Sequence, residues 1–406
     1  MSGNTVVILG GGVGGIVTAN ELRRKLGPQH RVILVNKGAE YVFTPSLLWV
    51  MVGWRQPRQI TRDLRRLVRP GVKVLPAEVR EVDLERQRVR AGDRDLAYDY
   101  LVLALGADLA PGAMPGYAGT AHNFFEPEGA AGLWSALQRV QGGRVAVLVA
   151  GLPYKCPAAP YEAALLVDDT LRRRGIRGRC QVEVFTPEPQ PMPVAGPAMG
   201  EALVRLLESR GIRFHPSVQP VAVDVDKREV IFQDGRREPF DLLAAVPPHQ
   251  PPAVARNLPL ANQAGWISVD KYTLKTSHDN VYAIGDVAAI TLPNGRLLPK
   301  AGVFAHAQAK VVAQRLAGEM QGVQAQARFD GVGYCWLEMG GGLAGFTSGA
   351  FYTEPDPVVG LPRSGRLWHW GKVLYEKYWI GEGLLRQAAR LGLYLGSKAL
   401  GIGVSL

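Results

Sequence analysis

The sequence predicts an α/β protein with two Rossmann-like dinucleotide-binding domains, the second degenerate, and a C-terminal β and helical membrane-interface region. Three observations predict it. A strand near the N-terminus runs straight into a glycine-rich turn and a helix. The same strand and turn recur near residue 150, with prolines where the glycines should stand. The end of the chain gathers aromatic and basic residues at helical spacing. At 406 residues the chain is too long for one hydrophobic core and suits two or three interleaved domains. The expected division is 1–115 and 251–325 for the first dinucleotide domain, 116–250 for the second, and 326–406 for the C-terminal region.

In the first fold, Val6-Val7-Ile8-Leu9 is the strand, followed by a helix through Lys25 and a second strand from Arg31 to Val35. Gly10, Gly12 and Gly15 fill the G-x-G-x-x-G positions between strand and helix. The first permits the tight turn, the second lets backbone approach a pyrophosphate, and the third lets helix pack on strand. That context makes the motif a nucleotide site. Asn36 stands where an Asp or Glu commonly accepts from a ribose hydroxyl; its amide oxygen can accept too, without charge assistance. Asn36 and the adjoining Lys37 are therefore expected cofactor contacts.

Further along, Tyr98 to Ala107 reads as a buried strand ending in a small-residue turn at Gly106. Asn280 to Val287 repeats that shape and ends in Gly285-Asp286. These resemble the second and third FAD fingerprints of flavoproteins with two dinucleotide domains, where the Asp accepts from the ribityl chain. The resemblance implies FAD in the first fold, with Val79 where backbone meets adenine.

The second fold begins with the strand Arg144 to Gly151. A nicotinamide site would need a glycine-rich turn next. The chain instead reads Leu152-Pro153-Tyr154-Lys155-Cys156-Pro157-Ala158-Ala159-Pro160-Tyr161-Glu162. Prolines and a lysine replace the glycines that would admit a pyrophosphate, so this fold is expected to bind no NAD(P)H.

Composition removes other classes. No run of about 18 apolar residues exists, so no segment is expected to span a bilayer. The net charge of +11 comes without the aromatic-rich basic motifs of nucleic-acid modules, so no nucleic acid is expected as partner. Met1 to Thr5 lead directly into a strand without a leader pattern, so an intracellular place is expected. Three widely spaced cysteines, Cys156, Cys180 and Cys335, exclude a disulfide scaffold and a CxxC metal site. In a reducing cytosol, any bridge between them would be catalytic.

The strand-end segment Lys155 to Glu162 resembles sulfide:quinone oxidoreductase, and nearly as well the flavoprotein of flavocytochrome c sulfide dehydrogenase. The likeness spans essentially the whole chain. It includes the FAD motifs, Phe43-Thr44-Pro45-Ser46-Leu47, Pro299-Lys300-Ala301-Gly302-Val303-Phe304 and Gly333-Tyr334-Cys335-Trp336. It implies a redox pair of Cys156 and Cys335 beside the flavin, with Cys335 nearer the ring and Cys156 carrying a persulfide. Glu162 falls where that family has a carboxylate for proton handling. Lys300, at the start of the last FAD helix, could steady negative charge on the reduced ring. The chain also departs from the pattern. No cysteine precedes Lys155 and none lies near Thr44, so FAD is expected to be held non-covalently. Cys180 adjoins the expected strand Gln181 to Phe185 and is read as structural. No Cys-x-x-Cys-His occurs, so no haem is attached.

In the tail, Leu367 to Trp379 is crowded with aromatics and Gly383 to Leu395 reads as an amphipathic helix. From Arg363 onward seven basic and two acidic side chains leave an excess of five positive charges. That combination suits a helix in an anionic lipid interface, the alternative being packing on its own protein or a second subunit. A membrane surface would supply quinone. Trp336 is a candidate wall of the flavin pocket, with core packing as the alternative.

The expected function is oxidation of sulfide to sulfane sulfur or polysulfide, with electrons passing through FAD to a membrane quinone. The expected place is the cytoplasmic side of a membrane, bound peripherally; a homo-oligomer is left open. The alternatives are a sulfide dehydrogenase donating to a cytochrome c, and a type II NADH dehydrogenase.

Overall fold

Thr5–Leu9 (β1) is buried along its whole length and feeds through the glycine turn into Val13–Lys25 (α1). A parallel strand covered on both faces needs such an unbroken apolar run. Arg31–Asn36 (β2) pairs with β1 in parallel, Leu9 opposite Val35. Val72–Pro76 (β3) lies beyond β2, and Tyr100–Leu103 (β4) flanks β1 on the other side. A computed structural model of the chain supplies these coordinates and describes residues 3–360 and 363–402. Outside it lie Met1, on which the expected N-terminus rests, and residues 403–406 of the expected C-terminal region.

The second sheet is also parallel. His122–Asn123 (β5), Gly143–Val149 (β6), Cys180–Phe185 (β7), Ile212–His215 (β8) and Leu242–Val246 (β9) stand in the order β5-β9-β6-β7-β8. Ala159–Arg173 (α2) crosses from β6 to β7 and is buried without a break from Ala159 to Leu171. A crossover helix normally keeps a wet face. This one has none before its last turn, and the C-terminal region packs along it.

The chain then returns to the first sheet. Val281–Ala283 (β10) completes it beside β4, Val281 opposite Leu101, and Gly302–Met320 (α3) packs against α1. Two Rossmann-like cores result. Val332–Gly340 (β11) and Leu343–Ala350 (β12) form an antiparallel hairpin, with β11 lying along α2. Arg366–Ile380 (α4) packs on that hairpin and Gly383–Leu400 (α5) packs on α4. Among the described residues no helix is long and apolar enough to cross a membrane.

Candidate functional site

The glycine turn between β1 and α1 has a solid floor and an open front. Gly10 sits at φ +107°, and a Cβ there would run into the Ala104 carbonyl. A Cβ on Gly15 would run into the Gly10 carbonyl. A Cβ on Gly12 or Gly106 would meet nothing within 4 Å. The backbone is thus exposed where a diphosphate would approach the α1 N-terminus, and the turn fits a dinucleotide cofactor. Asn36 braces this cradle: its Oδ1 accepts from the Gly11 N–H at 2.8 Å and its Nδ2 donates to the Gly38 carbonyl at 2.9 Å. Lys37 pairs with Glu78 at 2.9 Å in solvent, next to Val79, where a short strand begins.

At the far end of the cradle, Gly285 has φ +70° and donates its N–H to Gln308 Oε1 at 2.7 Å. Burial raises the Asp286 carboxyl, with Lys155 and Lys300 pulling the other way. Lys300 is itself buried. Its Nζ donates to the Asp286 carbonyl and lies 3.5 Å from the Trp266 ring centroid. Burial pushes its ammonium down to about 8, against the charge of Asp286. The same residue's carbonyl accepts from the Cys156 N–H at 2.8 Å, and Lys155 bridges Lys300 in parallel. Lys300 therefore ties the Gly285-Asp286 turn to the loop carrying Cys156.

Cys156 adopts φ +58°, a left-handed conformation that costs a residue with a Cβ on the order of 1 kcal/mol. Cys335 lies in β11 and its thiol donates to the Trp336 carbonyl at 3.3 Å. Both residues pack on the main core and are partly buried. Burial pushes the Cys156 thiol up to about 12, with Glu162 adding to the shift and Lys372 opposing it. Cys335 is raised by burial, then by the nearby Cys156 and by Glu162, again against Lys372. Cys335 thus lies within electrostatic reach of Cys156, on a strand that packs along α2.

Glu162, in the first turn of α2, is buried and accepts from Lys372 Nζ. Burial and Glu338 lift its carboxyl to about 7 although Lys372 holds it down. Lys372 is a site residue that sequence reading missed. Counting the tail's charges assigned it to a wet or lipid face, yet it is buried and 5.2 Å from the Trp49 ring centroid. The signal was its helical spacing. Trp368, Lys372, Tyr375, Glu376, Trp379 and Ile380 are the buried residues of one α4 face, and that face carries two charges inward. Glu376 meets Arg55 at 2.8 Å, and His369 meets Glu338 at 3.0 Å.

Trp336 packs in the core, as the alternative reading has it. Alternation along β11 puts it on the face opposite Cys335, where it packs 5.2 Å from Phe346 and 5.0 Å from Tyr375. Cys180 is buried at the start of β7, away from the pair. Among the described residues no cluster of His, Cys, Asp or Glu could hold a metal ion.

Residues 4–310 match the model of the pyridine nucleotide-disulphide oxidoreductase family. The mitochondrial sulfide:quinone oxidoreductase of Mus musculus is 26% identical, over 96% of this chain and 90% of that protein. The sulfide-quinone reductase of Aquifex aeolicus is 27% identical, over 92% of this chain and 90% of that protein. The X-ray structure of the Aquifex aeolicus sulfide:quinone oxidoreductase superposes with a TM-score of 0.86 at 23% identity, covering 99% of this chain and 96% of that one.

Proposed function

This chain belongs to the pyridine nucleotide-disulphide oxidoreductase family, and from that premise we propose that it oxidises sulfide and passes the electrons to a membrane quinone. It is a flavin-dependent oxidoreductase. The observation that carries the proposal is that Cys156, in a loop tied to the Gly285-Asp286 turn through Lys300, lies within electrostatic reach of Cys335 on β11 and of Lys372. Near relatives named for sulfide and quinone support the substrates. The four stretches 1–115, 116–250, 251–325 and 326–406 are taken as its working units.

Gly10, Gly12, Gly15, Gly106, Gly285 and Asp286 would hold FAD non-covalently, with Asn36, Lys37 and Val79 at the adenosine end and Lys300 near the ring. Bound FAD supplies a two-electron acceptor beside the thiol pair. Hydrosulfide attacks the Cys156 sulfur of a Cys156–Cys335 disulfide, forming a new S–S bond while the old one breaks and leaves its electron pair on Cys335. Lys372 offsets the negative charge that burial makes costly there. Glu162, poised at about 7, takes the proton released from the persulfide. A second hydrosulfide then takes the outer sulfur from Cys156, forming a polysulfide S–S bond as the bond to Cys156 breaks and leaves its electron pair there. Re-forming the Cys156–Cys335 bond would release two electrons, which a bound flavin would accept.

On the acceptor side, Tyr41, Phe43, Tyr375 and Trp379 form a ring cluster inside α4. His306 meets Trp379 edge-on at 5.7 Å, and neither of its ring nitrogens has a hydrogen-bond partner among the described residues. Leu384, Leu391 and Leu395 stand exposed on the neighbouring α5. An aromatic cluster beside an apolar outer face suits a lipid-borne quinone and peripheral attachment on the cytoplasmic side. No observation favours the cytochrome c or NADH alternatives.

Anaerobic titration with sulfide and with NADH tests the reading. Sulfide should bleach the flavin absorbance, and Cys156→Ala and Cys335→Ala should abolish the bleaching. Bleaching by NADH alone would overturn the proposal. Short-chain quinone and cytochrome c, added to the reduced protein, then identify the acceptor.

A further inference from the structure

Glu188 lies just past the C-terminal end of β7, the level at which a nicotinamide-binding fold presents a carboxylate to a ribose. Here the carboxylate is turned to another use. It is buried, and its Oε2 accepts from Tyr154 Oη at 2.8 Å, Tyr161 Oη at 2.5 Å and Thr186 Oγ1 at 3.4 Å. Tyr154 and Tyr161 bracket Cys156, one in the loop before it and one in the first turn of α2 after it. Tyr154 Oη also lies 3.2 Å from the carbonyl of Pro157, the residue following Cys156. All three ring hydroxyl and carboxylate groups are shielded from solvent.

We infer that Glu188 is a positioning residue for the redox cysteine, clamping both flanks of its loop, and that the same contacts close the second dinucleotide site. The inference rests on the reading of Cys156 as redox-active. A left-handed cysteine is held only where its surroundings over-determine it. The Lys300 carbonyl fixes the Cys156 N–H from one side, and the Tyr154–Glu188–Tyr161 contacts fix the flanking residues from the other. Burial keeps both phenols far above their ordinary pKa, so they remain donors at any physiological pH. The rival view is a buried polar group that is merely satisfied. Under that view its loss would lower stability without selectively altering Cys156.

The test uses the FAD-bound full chain with its thiols reduced. Iodoacetamide labelling of Cys156 and Cys335 is followed by mass spectrometry in wild type, Tyr154→Phe, Glu188→Ala and Glu188→Gln. Tyr154→Phe and Glu188→Ala should label Cys156 several-fold faster with Cys335 unchanged, while Glu188→Gln, which keeps an acceptor, should stay near wild type. Sulfide-driven bleaching should slow by about tenfold in the first two, an amount within reach of one lost buried hydrogen bond. Reoxidation by a short-chain quinone should not change. Wild-type labelling of Cys156 in Tyr154→Phe with normal FAD content would overturn the inference, and this variant decides if Glu188→Ala does not fold. Failure of sulfide to bleach wild type would sink the sulfide reading, while the labelling would still decide the role of Glu188.

Discussion

Lys372 of α4 and Glu162 of α2 form an ion pair in the interior, 6% and 2% exposed, next to both candidate redox cysteines. A cation from the last part of the chain thereby completes a site begun in the second dinucleotide fold. Breaking such a pair from one side strands a charge and costs about 3–5 kcal/mol, whereas removing both partners costs less. Lys372→Met should therefore lower stability most well above pH 7, where Glu162 is ionised, and Lys372→Met with Glu162→Gln should restore most of it. Sulfide-driven bleaching should stay slowed by at least about tenfold in both, because the cation opposing charge on the sulfurs is gone. Urea unfolding and stopped-flow bleaching separate the two effects. Recovery of the rate together with the stability would make the pair merely structural.

Glu162 gives the fold a pH signature of definite sign. Its carboxyl is raised from 4.5 to about 7, chiefly by burial. Its protonated form is thus favoured in the folded protein, and the stability it contributes is full below about 4.5 and lost as pH rises through about 7. A shift of that size is worth on the order of 3 kcal/mol. Between pH 5 and pH 8, wild type should lose stability relative to Glu162→Gln. Parallel pH profiles for the two proteins would show that Lys372 keeps the carboxylate fully ionised.

The glycine turn should separate folding from cofactor retention. Gly15→Ala drives a Cβ into the Gly10 carbonyl and should give little soluble protein. Gly12→Ala meets no protein atom within 4 Å, so the chain should fold. Its methyl then stands where the diphosphate must approach, and FAD affinity should fall by at least about tenfold, the equivalent of about 1.4 kcal/mol. The ratio of flavin to protein absorbance after gel filtration reads the result. Full FAD content in Gly12→Ala would move the cofactor away from this turn.

Much of this was legible in the sequence, and the reasons differ by residue. Val6 to Leu9, Gly10, Gly12, Gly15 and the strand Val281–Ala283 announce themselves locally, because a buried parallel strand and a tight turn restrict residue type position by position. The prolines around Cys156 were equally local. Lys372, Glu338 and Glu188 were not, because each takes its meaning from a partner far along the chain. Lys372 meets Glu162 across 210 positions. Glu188 reads as an ordinary loop carboxylate until Tyr154 and Tyr161 fold over it. For Trp336 the sequence left two readings open, and strand alternation, which turns adjacent residues opposite ways, accounts for its packing on Phe346 and Tyr375.

The outer face of the C-terminal helices makes the last prediction. Trp370 of α4 is 61% exposed, and Leu384, Leu391 and Leu395 of α5 are 83%, 58% and 56% exposed. Exposed apolar side chains contribute little to folding, but each leucine is worth roughly 1.5–3 kcal/mol if it becomes buried in lipid. Leu384→Gln with Leu391→Gln should therefore weaken binding to vesicles containing phosphatidylglycerol by at least about tenfold. The flavin content and the bleaching by sulfide in solution should not change, because neither leucine touches the Glu162–Lys372 pair. Co-sedimentation with vesicles measures the first and anaerobic spectroscopy the second. If the variant instead binds vesicles as wild type does but loses a dimer on gel filtration, this face belongs to a second subunit. Lys372 and Glu376 argue for lipid on the outer side: α4 has already turned its buried charges toward the protein, leaving the apolar stripe of α5 as the surface that water covers least favourably.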